Sequence, residues 1–393
     1  MAQLPEYKSR LNYVWQNLNL TLKAFAAKLS PYLGGGGGLA GTNYITVSAA
    51  GTPAENGTAL LDAYTAAQGM SPSATNEITI LLAPGYYGLS QKLLLNTPYI
   101  YISSLTSNQD VILDRIDLVD PFFADPISGE ITEFGEVVKI TADNVKLIGI
   151  VGATRISIEY DNYWGNGTTY ILPIRLINNL PYVYVENCTA GPFSFGSNEN
   201  WFGILSEPVT VSGTFVDCTA DFRSFGSFGD ATGTFINCTS TFEQSFAYSS
   251  TGSGYFENCK APAGYSFGSS STSIESGTFV NCSAGAYSFG ANGTASGNFY
   301  TCISGDRGFG SNTGIASGNF YNCIAGFASF GTAGSMTGVA HQCIGGEYSF
   351  GSFGALTGSL YYCKLTVGTF PVVSGSGVTR YCIDGNNATN NQG

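Results

Sequence analysis

Along residues 188–382 the apolar positions recur at a fixed spacing that is neither helical nor simply alternating. Ten cysteines stand at 188, 218, 238, 259, 282, 302, 323, 343, 363 and 382, and after the first gap of 30 residues each spacing is 19 to 23. Three residues before the cysteine, six consecutive units carry Phe215, Phe235, Phe256, Phe279, Phe299 and Phe320. Seven or eight residues after it comes a second phenylalanine, from Phe195 to Phe370, usually inside Ser-Phe-Gly. Five residues before every cysteine from Cys218 onward is a glycine, Gly213 through Gly377. Residues 276–290, Ser-Gly-Thr-Phe-Val-Asn-Cys-Ser-Ala-Gly-Ala-Tyr-Ser-Phe-Gly, show the unit in full.

A period near 20 is too short for two packed helices, and the units are rich in β-branched, aromatic and glycine residues, so each reads as short strands joined by tight turns. Stacked in register, equivalent positions lie about 4.8 Å apart. The phenylalanines and cysteines then form interior columns. Asn187, Asp217, Asn237, Asn258, Asn281 and Asn322, one place before the cysteine, suit a left-handed turn whose amides bond along the stack. Glycines fit corners that need positive φ or close backbone approach. The predicted fold is all-β, a right-handed parallel β-helix of about 20 residues per coil, with one short N-terminal α-helix.

Upstream the pattern loosens. Apolar alternation at Tyr99–Ile102, Val137–Ile140, Val145–Ile150 and Tyr182–Val185 predicts irregular coils of the same solenoid. At the amino terminus, Leu11, Trp15, Leu18, Leu22, Phe25 and Leu29 step by 4, 3, 4, 3 and 4, a heptad seam, followed by Pro31 and glycines 34–38. The seam predicts either an oligomerising helix or an amphipathic helix packed on a larger body. The expected organisation is a helix for attachment or association at 1–33, a hinge at 34–42, an irregular entry with a capping helix at 43–180, regular repeats at 181–383, and a polar tail at 384–393, disordered or a minimal end cap.

Charge narrows the partners. Fifteen basic against 27 acidic residues give −12, which argues against nucleic acid and anionic membranes. No apolar run reaches 18 residues, and Gln16, Asn17, Asn19, Lys23 and Lys28 interrupt the first 33, so neither a membrane span nor an export signal is expected. The cysteine spacing contains no Cys-x-x-Cys, and stacked side chains point in parallel, which disfavours both zinc and disulfides. Small buried thiols in a core assembled under reducing conditions are the expectation, with no cofactor and no metal.

The segment Gly51-Thr-Pro-Ala-Glu-Asn-Gly-Thr-Ala-Leu-Leu-Asp-Ala-Tyr-Thr-Ala-Ala, followed by Ile78-Thr-Ile-Leu-Leu-Ala-Pro-Gly-Tyr-Tyr, resembles the entry of the pectate-lyase-like β-helix superfamily. There a helix caps the open end of the solenoid, and members include phage tailspikes and polysaccharide-degrading enzymes. The resemblance implies a viral appendage, a tail spike, tail fibre or capsid element, forming a homotrimer and joined to another virion protein through residues 1–33, with surface polysaccharide as a further partner. A glycan depolymerase is the alternative, and a secreted cell-surface solenoid the third reading.

Catalytic candidates are few. The superfamily's hydrolases pair carboxylates on adjacent coils, and Asp217, Asp221, Asp230, Glu243 and Glu257 are the set to inspect. The single histidine, His341, and the scattered Arg223, Arg307 and Arg380 form no evident basic cluster. A lateral acidic loop offers Asp114, Asp117 and Asp120 as calcium ligands, with a solvated loop as the plainer account. Tyr160, Tyr163, Trp164 and Trp201 fall where the repeat breaks and suit either sugar stacking or cap packing.

Overall fold

In the computed structural model, the described residues are 43–106, 109–116, 137–152, 180–191, 194–195, 210–227, 229–311, 313–351, 355–370, 377–386 and 388–392. The backbone strands Phe122–Ala124, Ile131–Phe134 and Ile174–Leu176 are also described. The heptad seam at Leu11, Trp15, Leu18, Leu22, Phe25 and Leu29 lies outside them, as does the glycine run.

Residues 42–393 form one compact unit. It is a parallel β-helix, with connections of the right-handed sense that parallel crossovers take. Each coil in the repeat array has three sides. The first carries the strand before the cysteine, pairing Phe215 with Phe235, then Phe256, Phe279, Phe299, Phe320, Ala340 and Leu360 in exact succession. The second is the short strand after the cysteine, from Thr219–Ala220 to Lys364–Leu365. The third runs from Thr251–Gly252 through Ile274–Glu275 and Thr294–Ala295 to Ala355–Leu356.

The entry coils share this frame. Ile45, Ile80, Ile102, Leu147 and Val185 continue the first-side column down to Phe215 without a break. Helix α1 (Pro53–Gly69) starts at a capping box in which Thr52 and Glu55 bond reciprocally, and its buried residues are Asn56, Gly57, Leu60, Ala63, Tyr64 and Ala67. At the opposite end, strand Thr389–Gln392 pairs antiparallel with Val378–Ile383. The polar tail is therefore ordered as an end strand, because Asp384 accepts the amides of Asn386 and Ala388, both at 2.9 Å, and turns the chain back.

Side chains at the corners explain the sequence signature. The residue before each cysteine, from Asn187 (φ 50°) to Tyr381 (φ 57°), is left-handed. At the next corner, Phe225, Phe246, Phe267, Phe289, Phe309, Phe330 and Phe350 are also left-handed, each followed by a positive-φ glycine except Phe246, which is followed by the left-handed Ala247. The glycine five before the cysteine serves a different need: a Cβ on Gly297 would sit 2.2 Å from the Gly277 carbonyl one coil below. The two phenylalanine columns stack internally, as in Phe225 on Phe246 at 4.6 Å, and meet each other edge to face, as in Phe235 on Phe246 at 6.2 Å. Between coils, buried serines bond in series: Ser224 N–H to Ser245 Oγ, Ser245 N–H to Ser266 Oγ, and Ser329 N–H to Ser349 Oγ, at 3.1 to 3.2 Å.

Candidate functional site

The ten cysteines line one interior column and all are free and buried. Each thiol donates to a carbonyl of the coil below, for example Cys282 Sγ to Phe256 O and Cys302 Sγ to Phe279 O, both at 3.4 Å. Burial pushes Cys188 up to about 12 and holds Cys323, Cys343 and Cys363 well above the usual thiol range. Those four thiols stay protonated, which suits packing and not nucleophilic chemistry.

The five carboxylates proposed for glycan hydrolysis occupy different stations of the coil. Asp217, at the corner before the cysteine, accepts Asn237 Nδ2 at 2.6 Å and begins an amide ladder continued by Asn258 Nδ2 to Asn237 Oδ1 at 3.0 Å. Asp221 lies past the second-side strand and accepts the Phe222 amide at 2.8 Å and the Thr241 hydroxyl at 3.1 Å. Asp230 leads into the third side and accepts the Thr251 amide at 3.0 Å. Glu257 is on the first side, where Tyr255 donates to it at 3.0 Å. Glu243 sits in a corner with its main-chain carbonyl accepting from the Arg223 amide at 3.3 Å. The fold thus spreads the set around the coil, and Asp217, Asp221, Asp230 and Glu257 each take part in a local bond.

Asp114 is buried in strand Val111–Arg115, where Tyr86 donates to it and the Arg115 amide lies at 2.9 Å. Its proposed calcium partners Asp117 and Asp120 lie outside the described residues, as do Tyr160, Tyr163, Trp164 and Trp201. Strands Phe122–Ala124 and Ile131–Phe134 pair antiparallel in a two-stranded sheet separate from the parallel ladders. No grouping of three His, Cys, Asp or Glu able to hold a metal occurs among the described residues.

Sequence reasoning missed an outward ring column on the C-terminal coils. Tyr300 stacks on Tyr321 at 5.3 Å, His341 follows at 6.2 Å and Tyr361 at 6.3 Å, with Tyr362 on Tyr381 at 5.1 Å beside them. Ile303, Ile324 and Ile383 add exposed aliphatic surface on the neighbouring strand. The signal was present: two places before the cysteine, Val216, Ile236 and Val280 give way to Tyr300, Tyr321 and Tyr361. His341 is half-buried between rings of adjacent coils, and so belongs to a column instead of standing alone.

No protein family and no curated protein matches this chain. Among solved structures, the pectin methylesterase from Aspergillus niger in deglycosylated form aligns over 88% of this chain and 86% of that one, at 11% identity and a TM-score of 0.26. The fold assignment rests on the strand register itself, and an alignment this loose adds nothing about activity.

Proposed function

We propose that the chain is a structural virion component, a tail spike, tail fibre or capsid appendage, with residues 1–33 as its attachment and association segment and the β-helix as a rigid presenting body. The observation that supports this best is the unbroken in-register stack from strand Asn43–Val47 to strand Val378–Ile383, filled by Ile, Leu and Val in the entry coils and by phenylalanine and cysteine columns in the repeat array. Repetition on that scale serves stiffness and extended surface, whereas catalysis needs convergent groups at one place. Binding of a host surface glycan along the outer faces belongs to this reading.

The test is the solution mass of the full chain beside a chain beginning at Leu39. A trimer that becomes a monomer on truncation is the expected result. A monomer in both forms would overturn the association role of residues 1–33.

A further inference from the structure

On the third side, the inward position reads Ala231, Gly252, Glu275, Ala295, Ala316, Met336 and Leu356 from coil to coil. Glu275 is the one ionisable group in that column. It is 0% exposed, and neither carboxyl oxygen has a hydrogen-bond partner. Two glycines make its room: a Cβ on Gly252 would lie 2.0 Å from Oε2, and one on Gly268 would lie 2.0 Å from Oε1. After the first gap of 30, the coil that holds it has the longest cysteine spacing of the array, 23 residues from Cys259 to Cys282, with the extra length in the serine-rich turn at 268–273.

The surroundings offer no countercharge. The strand below is Thr251–Gly252, the strand above is Thr294–Ala295, and the turn contributes glycine, serine and threonine. None of these is titratable. The Gly252 amide leans toward the charged form but satisfies neither oxygen, and burial outweighs it. A carboxylate in such a place loses its hydration without compensation, so the coil accommodates the neutral acid. Ala295 and Ala316 show that the column closes without a carboxyl.

We propose that Glu275 is a proton latch, in which the coil from Cys259 to Cys282 closes on the neutral acid and loosens as the carboxylate forms. The sense of the pH dependence follows. Held in the fold, Glu275 titrates well above the ordinary carboxylate range, because burial disfavours its charge. Its contribution is therefore fully present below the unfolded-state value of about 4.3 and declines as pH rises toward the folded-state value. Because each coil contacts only its neighbours, the loosening concentrates at residues 251–295 and leaves distant coils closed.

The latch goes beyond the appendage reading and stands or falls separately from it, since its readout is stability and not mass. The full chain and its Glu275→Gln variant are unfolded thermally between about pH 5 and about pH 9, with hydrogen exchange followed at residues 268–276. The expected result is a wild-type midpoint that falls with pH relative to the variant, together with exchange at 268–276 that exceeds the variant's increasingly as pH rises. Parallel midpoint curves and equal exchange would overturn the latch. Glu275→Ala, which copies Ala295, repeats the comparison if the glutamine amide disturbs the column.

Discussion

Eight phenylalanines of the described array, from Phe195 to Phe350, hold φ between 51° and 59°, a region that L-residues ordinarily avoid. The conformation costs about 1–2 kcal/mol at each site. Full burial of the ring returns about 1.5–3 kcal/mol, and ring stacking about 0.5–1.5 more, so the aromatic column is what makes the corner tenable. An unusual ordering of variants follows. Phe267→Ala removes the ring but keeps a strained Cβ, and is expected to cost about 3–5 kcal/mol. Phe267→Gly loses the same ring and relieves the strain, and should cost about 1 kcal/mol less. Chemical denaturation midpoints check this, and a glycine variant no more stable than the alanine one would contradict it. At this scale the sequence was legible wherever one side chain recurs. The asparagine corners and the phenylalanine columns are where their spacing placed them. Glu275 was not, because Ser-Ile-Glu-Ser reads locally as a polar turn. Only counting back two residues from Gly277, as Ala295 stands from Gly297 and Ala316 from Gly318, puts it inside.

Both ends of the stack are closed by elements that differ from the coils between them. Helix α1 was readable from Thr-Pro-Ala-Glu, since a capping hydroxyl, a proline at the first turn and a glutamate three places on all favour a helix start. Asn56 fixes it from within, donating to the Tyr86 carbonyl at 3.0 Å and accepting the Gly51 amide at 3.0 Å. The other end was harder to read. Asp-Gly-Asn-Asn-Ala-Thr-Asn-Asn-Gln-Gly has no apolar alternation, because an outer strand that covers an edge buries little. Its order depends on backbone pairing with Thr379, Cys382 and Ile383. A chain ending at Ile383 therefore leaves that final strand unpaired on one side. It is expected to keep its coils but to associate edge to edge with rising concentration, as followed by light scattering. Equal scattering from the two chains would show that the end strand does not protect the edge.

For the unit as a whole, the governing feature is that the first-side column passes from the entry coils into the repeat array without interruption. The sequence divides there into an irregular entry and a regular array, because the entry fills its core with Ile, Leu and Val and lacks the Cys and Ser-Phe-Gly marks that make register visible. The structure joins Leu147 to Val185 and Val185 to Phe215 in one ladder. The change is one of core filling and loop length, not of architecture. A solenoid of this kind has energies set by each coil and its two neighbours, so whole coils are removable units. Deleting Cys302 through Asn322 brings Phe299 against Ala340, the same kind of contact that Phe320 makes now, and Phe289 against Phe330, a ring on a ring. That chain should remain folded, with a melting midpoint within a few degrees of the parent, since it loses one repeat and one interface of equal kind. Deleting only Cys302 through Gly310 removes one phenylalanine and one corner while leaving the following strand, so Ile315–Ala316 would have to occupy the second side. Circular dichroism and thermal unfolding distinguish the cases. If the half-coil chain melts as high as the whole-coil chain, the register of the columns is not what holds the stack, because a chain that tolerates either cut would be stabilised by local turns alone.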